Sequence, residues 1–194
     1  LAYLGSRGWD VTICGVLNVQ PLAEAYHCPF VPMGQDCEEF VSRTPDPTKH
    51  PLKATKALKG YIIKELELQF NKLPEIAINA DLILAATFGF AGATVAEALQ
   101  KPFGFISYCP QVLESNDYPA LFVKNHRHSK VVNWLSWKFF NTMFNISYRA
   151  VINKNRKNLN LPPVQDCWKH ILGEKILLAC DSEYSILPSD IKQK

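Results

Sequence analysis

Residues 80–110 read ADLILAATFGFAGATVAEALQKPFGFISYCP, two apolar runs around an alanine-rich middle. The run over 81–86 is short and bounded by a turn, as a strand buried on both faces should be. Ala91, Val95 and Leu99 recur at i, i+4 and i+8, a narrow apolar stripe on a helix. Gly92, Ala93, Ala96 and Ala98 are small, so that helix can lie close to a sheet. Lys101-Pro102 stops it, and a second strand begins at Phe103. The stretch is a βαβ unit, and a right-handed crossover of this kind belongs in a doubly wound sheet.

Composition agrees with that class. The chain has 194 residues, 47% apolar and 20% charged, enough for one sizeable α/β domain and unlike a disordered segment. The net charge of +3 is small and its basic residues are scattered, so no nucleic-acid partner is expected. The short basic run KNHRHSK at 124–130 reads as a solvated loop. Six cysteines, Cys14, Cys28, Cys37, Cys109, Cys167 and Cys180, form no C-x-x-C pair and meet no histidine at zinc spacing. Free thiols in a reducing, cytoplasmic compartment are expected, with no metal. No signal peptide is visible, nor any apolar run of about 18 residues that would span a membrane.

The same reading extends along the chain. LAYLGSRGWDVTICGV opens as the last turn of a helix, ended by Gly5 or Gly8, before a strand over 10–16. A doubly wound domain rarely begins that way, so a first strand and most of a helix are expected upstream of Leu1. A helix with Pro21 in its first turn follows, then a strand over 29–33 ending at Gly34. The proline-rich 42–51 reads as a loop. Leu58, Ile62, Leu66 and Phe70 mark a long helix over 52–73 that Pro74 ends. Residues 109–130 lose all periodicity, and irregular segments of that length inside compact domains are usually functional. Residues 131–161 lack Pro and Gly and carry Trp134, Trp137, Phe140, Phe144, Tyr148 and Ile152 at helical spacing. A core-facing helix is favoured there over one lying on a membrane. A short helix and a last strand near 176–180 close the pattern. The expected fold is α/β, a doubly wound, Rossmann-like, mostly parallel sheet with helices on both faces, forming one domain over 1–194.

The chemistry is sparse. No G-x-G-x-x-G, Walker sequence or G-x-S-x-G elbow is present. The turn TFGFAG at 87–92 could hold an anion at a helix start, but a tight packing turn is favoured. Asp-x-Asp is absent; Asp36-Cys-Glu38 and Asp181-Ser-Glu183 lack the second aspartate. Glu114, Asp117, His126 and His128 cluster in the long loop, and open α/β sheets bind ligands beyond the carboxyl ends of their strands. Thr87, Phe88, Gly89, Phe90, Tyr108, Pro110, Tyr118 and Phe122 flank those ends. With Glu114, Asp117 and His126 they make the candidate binding set.

The order of these pieces resembles the N-terminal half of GT-B glycosyltransferases, in the group of sterol, macrolide and glycopeptide enzymes. LAYLGSRGWDVTICG is similar to the family's L-x-x-R-G-H-x-V stretch, with Trp9 where His is usual. FVPMGQDCEEFV resembles F-x-P-x-G-x-D, and the 80–110 stretch resembles A-D-x-I … A-E-A-L-x-x-P followed by a proline-containing acceptor loop. INKNRKNLNLPPV is similar to N-x-x-R-x-x-L-x-L-P-P, and LLACDSEYSILP to the last strand before an interdomain linker. The resemblance implies an acceptor-binding domain of a metal-independent, inverting hexosyltransferase that needs no cofactor. A UDP- or dTDP-sugar would be its co-substrate, bound by a C-terminal domain. A hydrophobic acceptor such as a lipid or sterol, and peripheral contact with a membrane, are further expectations. The general base would precede Leu1, so no catalytic residue is assigned and the fragment alone is expected to be inactive. The alternative is a non-catalytic α/β binding module, or the acceptor half of a split, two-chain glycosyltransferase.

Overall fold

A computed structural model describes residues 2–121, 123, 128–181, 183, 188 and 190. The chain divides into two compact units, 1–72 and 73–194.

The first unit begins with helix α1 (Ala2–Ser6). It runs through Gly5, and the chain turns out of it at Gly8, whose φ of +81° suits glycine. Strand β1 (Ile13–Gly15) pairs in parallel with β2 (Phe30–Pro32), Ile13 beside Phe30 and Gly15 beside Pro32. Between them a 3-10 turn leads into α2 (Gln20–Ala25), with Pro21 in its first turn. After β2, Gly34 takes φ +98°. A Cβ there would lie 2.7 Å from Glu65 Oε1. That close approach lets Gln35 N–H donate to Glu65 Oε2 at 2.9 Å. Asp36 then caps helix α3 (Cys37–Arg43) by accepting from Glu39 N–H at 3.0 Å. The glycine and aspartate of the P-x-G-x-D stretch thus have separate structural duties, one at a turn and one at a cap.

Helix α3 is an addition to the sequence reading. The long helix α4 (Pro51–Ile76) corrects it, because Pro74 lies inside the last turn. Proline removes only the hydrogen bond to the Phe70 carbonyl, and Ala77 N–H still donates to Leu73 O at 2.9 Å. So close to a helix end, one missing bond does not stop the helix. Ile62, Leu66 and Phe70 are buried as the periodicity requires.

In the second unit, β3 (Ile83–Ala86), β4 (Phe103–Ser107) and β5 (Ile176–Leu178) form a parallel sheet in that order. Helix α5 (Gly92–Ala98) crosses from β3 to β4. All the expected strands are present, in two sheets whose pairings are wholly parallel. The expectation that the strand over 81–86 is buried on both faces is overturned. Ile83 and Ala85 are buried, while Leu84 is 40% exposed, so β3 alternates. The stripe expected on α5 is also too narrow: every residue from Ala91 to Ala96 is buried. Glycine explains the depth, since a Cβ on Gly92 would come within 2.9 Å of Ala85 Cβ and 3.0 Å of the Phe103 ring. Gly173, at φ +66° after α7 (Cys167–Leu172), sits against the same ring, where a Cβ would come within 2.8 Å.

Helix α6 (Lys130–Asn158) is capped by Ser129. It buries Trp137, Phe144, Tyr148 and Ile152 of the expected stripe, with Phe140 half-buried, but Trp134, at the edge of that face, is 47% exposed and corrects the expectation. Phe140 and Phe144 each meet Trp168 of α7 edge to face, with centroids 5.0 and 5.2 Å apart, and each other at a tilt with centroids 5.8 Å apart. All six cysteines are free.

Candidate functional site

Parallel pairing sets the carboxyl ends of β3 and β4 side by side, with Ala86 next to Ile106. The chain leaves β3 through Thr87, a β-branched residue held at φ +43°, a conformation such residues adopt only under constraint. Gly89 N–H donates to Ala86 O at 2.8 Å. A Cβ on Gly89 would lie only 2.8 Å from that of Ala85. This turn sends Phe88 outward, 38% exposed, and folds Phe90 back into the core. Their rings meet edge to face at 5.6 Å.

The chain leaves β4 through buried Ser107, whose hydroxyl donates to Cys109 O at 2.6 Å. Tyr108 projects outward, 61% exposed, and Pro110 starts a 3-10 turn over Pro110–Val112. Thr87, Phe88 and Tyr108 therefore emerge along one sheet edge, with an exposed aromatic just past the end of each of two adjacent strands, while Pro110 at the same edge is buried.

The segment that follows has no sequence periodicity, yet it is firmly held. Leu113, Ser115, Pro119 and Ala120 are buried. Successive turns of α6 fasten it. Asn133 Nδ2 donates to Asn116 O at 2.9 Å, Trp137 Nε1 to Tyr118 O at 3.0 Å, and Ala120 N–H to Ser136 Oγ at 3.0 Å. From α7, Trp168 Nε1 donates to Val112 O at 3.0 Å. Asp190 accepts from Ser115 Oγ and Asn116 N–H, both at 2.6 Å. These bonds hold its carboxyl below the ordinary range against the opposing effect of burial. Glu114 lies 3.3 Å from Lys138 Nζ and accepts from Asn141 at 3.0 Å, and Asp117 lies 3.6 Å from Lys130 Nζ. Both carboxylates are thereby drawn to the side of α6. Phe122 and His126 lie outside the described residues. Among the described residues, no three His, Cys, Asp or Glu gather as a metal site.

Sequence reasoning missed a second polar cluster. Arg156 on α6 is 2% exposed and makes a bidentate pair with Glu97 on α5, at 2.7 and 3.0 Å. Its Nε donates to Pro162 O at 2.7 Å. His170 Nε2 on α7 lies 3.1 Å from Arg156 Nη1 and 2.8 Å from Thr94 Oγ1. Because the guanidinium can only donate, His170 Nε2 is an acceptor and the ring is neutral. Burial, reinforced by Arg156, lowers the His170 pKa, while Glu97 opposes the shift. The hydrogen bond from Arg156 lowers the Glu97 pKa. The signal was in two motifs already quoted: Glu97 belongs to A-E-A-L, and Arg156 is the arginine of N-x-x-R-x-x-L-x-L-P-P. A shallow depression of about 330 Å³ beside His170 is lined by Val164, Lys169 and Glu174 among others, and holds none of the candidate set.

Parallel strands joined by helices, with loops leaving at their carboxyl edge, make this a Rossmann-like α/β fold. No family model matches the chain. It is 26% identical over 191 residues to glycosyltransferase GtfC of Amycolatopsis orientalis, a match covering 96% of this chain and 46% of that protein. The vancomycin aglycone glucosyltransferase of the same organism is 25% identical over 191 residues, covering 95% and 45%. The fold matches one part of a solved structure, the spinosyn forosaminyltransferase SpnP. The TM-score there is 0.56 at 12% identity, covering 96% of this chain and 42% of that one. Nearly the whole chain is therefore similar in sequence to these glycosyltransferases. It spans about half the length of the relatives it matches.

Proposed function

We propose that this chain is the acceptor-binding domain of a GT-B glycosyltransferase. The observation that carries the reading is the match to glycosyltransferase GtfC along 96% of this chain but only 46% of that protein. In this reading a nucleotide sugar, UDP- or dTDP-linked, is held by a second domain across a cleft and no resident cofactor takes part. The present domain supplies the acceptor wall at the carboxyl edge of β3 and β4. Phe88 and Tyr108 offer aromatic surface to an apolar aglycone, and the α6-fastened loop from Glu114 to Tyr118 supplies a polar rim, the usual makeup of a small-molecule site. Hexosyl transfer with inversion would follow once an acceptor hydroxyl is deprotonated in line with the anomeric carbon. The acceptor wall contributes position and exclusion of water. Six free thiols suit a reducing, cytoplasmic setting.

The test is binding of a panel of hydrophobic aglycones, sterol, macrolide and glycopeptide, to the 194-residue chain by calorimetry. At least one class should bind. Phe88→Ala and Tyr108→Ala should each weaken it about tenfold, the scale of losing one aromatic contact, with unfolding midpoints unchanged. The chain alone should release no nucleoside diphosphate from a nucleotide sugar. Sugar transfer by these residues alone, or aglycone binding indifferent to both substitutions, would overturn the reading.

A further inference from the structure

Helix α6 has a second apolar face, opposite the one it buries. Val132, Leu135, Phe139, Met143 and Ile146 follow one another at steps of three and four, and all are exposed, Phe139 by 70% and Ile146 by 66%. Steps of that kind keep side chains on one side of a helix. From Val132 to Ile146 the strip is about 21 Å long, at the rise of an α-helix. The same side continues through Ala150 to Lys154 and Lys157, both exposed.

The helix contains no aspartate or glutamate in 29 residues, yet carries Lys130, Lys138, Arg149, Lys154, Arg156 and Lys157. The carboxylates that approach it, Glu114, Asp117 and Glu97, come from other segments and meet Lys138, Lys130 and Arg156. None of them meets Lys154 or Lys157. An apolar strip with cations at its C-terminal end and no carboxylate of its own is complementary to a surface that is apolar within and anionic at its boundary. No helix among the described residues is long and apolar enough to cross a membrane, so the fitting geometry is one lying in the interface plane.

We infer that the Val132–Ile146 face of α6 docks the protein on an anionic lipid surface, with Phe139 and Ile146 inserted and Lys154 and Lys157 at the headgroups. The inference does not rest on the acceptor-binding reading, because its readout involves no sugar. The 194-residue chain is mixed with vesicles of phosphatidylcholine alone, or with about one third phosphatidylserine, and bound protein is measured by flotation. Binding should be at least about tenfold stronger to the anionic vesicles and should weaken with added salt. Phe139→Glu with Ile146→Glu should abolish it, and Lys154→Gln with Lys157→Gln should reduce it about tenfold. These side chains are exposed, so far-UV circular dichroism and the unfolding midpoint should not change. No binding to anionic vesicles, or binding that survives the glutamate pair, overturns the inference. So does self-association of the native chain that the glutamate pair dissolves, which would make the face a contact between two copies.

Discussion

The pair formed by Glu97 and Arg156 makes an unequal prediction. Glu97→Ala strands a guanidinium that is 2% exposed, and its remaining partners, the Pro162 carbonyl and the His170 ring, are neutral. Uncompensated buried charge of this kind costs about 3–5 kcal/mol. Arg156→Met instead fills the space of the aliphatic stem and leaves Glu97 with 41% of its side chain in solvent. That carboxylate can rehydrate. The loss is confined to the hydrogen bonds, about 1–2 kcal/mol. The double variant should resemble Arg156→Met alone, because the charge stranded by the first change is gone. The two effects are then coupled by the whole cost of Glu97→Ala, about 3–5 kcal/mol, far from additive. Urea unfolding followed by tryptophan fluorescence is a suitable assay, since Trp137 and Trp168 both lie in the second unit. With a slope of about 2 kcal/mol/M, the two single variants should differ in midpoint by about 1 M. Equal midpoints, or a double variant that sums the singles, would show that the guanidinium is not the dependent partner.

Four further outcomes are expected. His170 has its pKa lowered below 6.5, chiefly by burial, so the unfolded chain binds its proton first as pH falls. Stability should be complete above pH 6.5 and decline below it, by at most about 1.4 kcal/mol per pH unit; His170→Gln should flatten thermal midpoints measured from pH 7 to 5.5. Gly34→Ala meets both a φ of +98° and Glu65 Oε1 at 2.7 Å, and should destabilise the first unit by about 1–3 kcal/mol in urea titration. Gly92→Ala overfills the contact between Ala85 and the Phe103 ring and should lose about 1–3 kcal/mol of unfolding free energy. In hydrogen exchange, the Ala120 amide should be protected and Ser136→Ala should release it, since Ser136 Oγ is its acceptor; an amide that exchanges freely in the native chain would contradict the fastened loop.

The sequence revealed elements where one physical signal dominated. The strands at 83–86 and 103–107 are apolar runs cut by Gly and Pro, and the Trp137–Ile152 stripe is helical spacing with no breaker. Helix α3 escaped because it is short, solvent-facing and flanked by prolines, and its only mark was the Asp36 cap. Pro74 misled because the rule that proline ends helices weakens in a last turn. The loop after β4 looked unanchored because its partners are backbone carbonyls and amides, which no residue pattern records. Of the candidate set, Thr87, Phe88, Tyr108 and Pro110 share the sheet edge their strand ends implied. Phe90 is core, and Glu114 and Asp117 turn to α6. The tie between Glu97 and Arg156 bridges 59 positions, and only two motifs read together could have suggested it.

The fastening of the loop by α6 and α7 also has a consequence in time. The side chains of α6 and α7 that fix residues 112–120 are all made later than the loop itself, the last being Trp168, about fifty residues downstream. At ordinary synthesis rates that interval is about 2–10 s. During it the segment has its sequence but not its template, and the buried faces of Leu113 and Pro119 have nowhere to go. A slowdown or chaperone acting between codons 120 and 168 would therefore influence the candidate binding edge more than one acting on the strands that carry it.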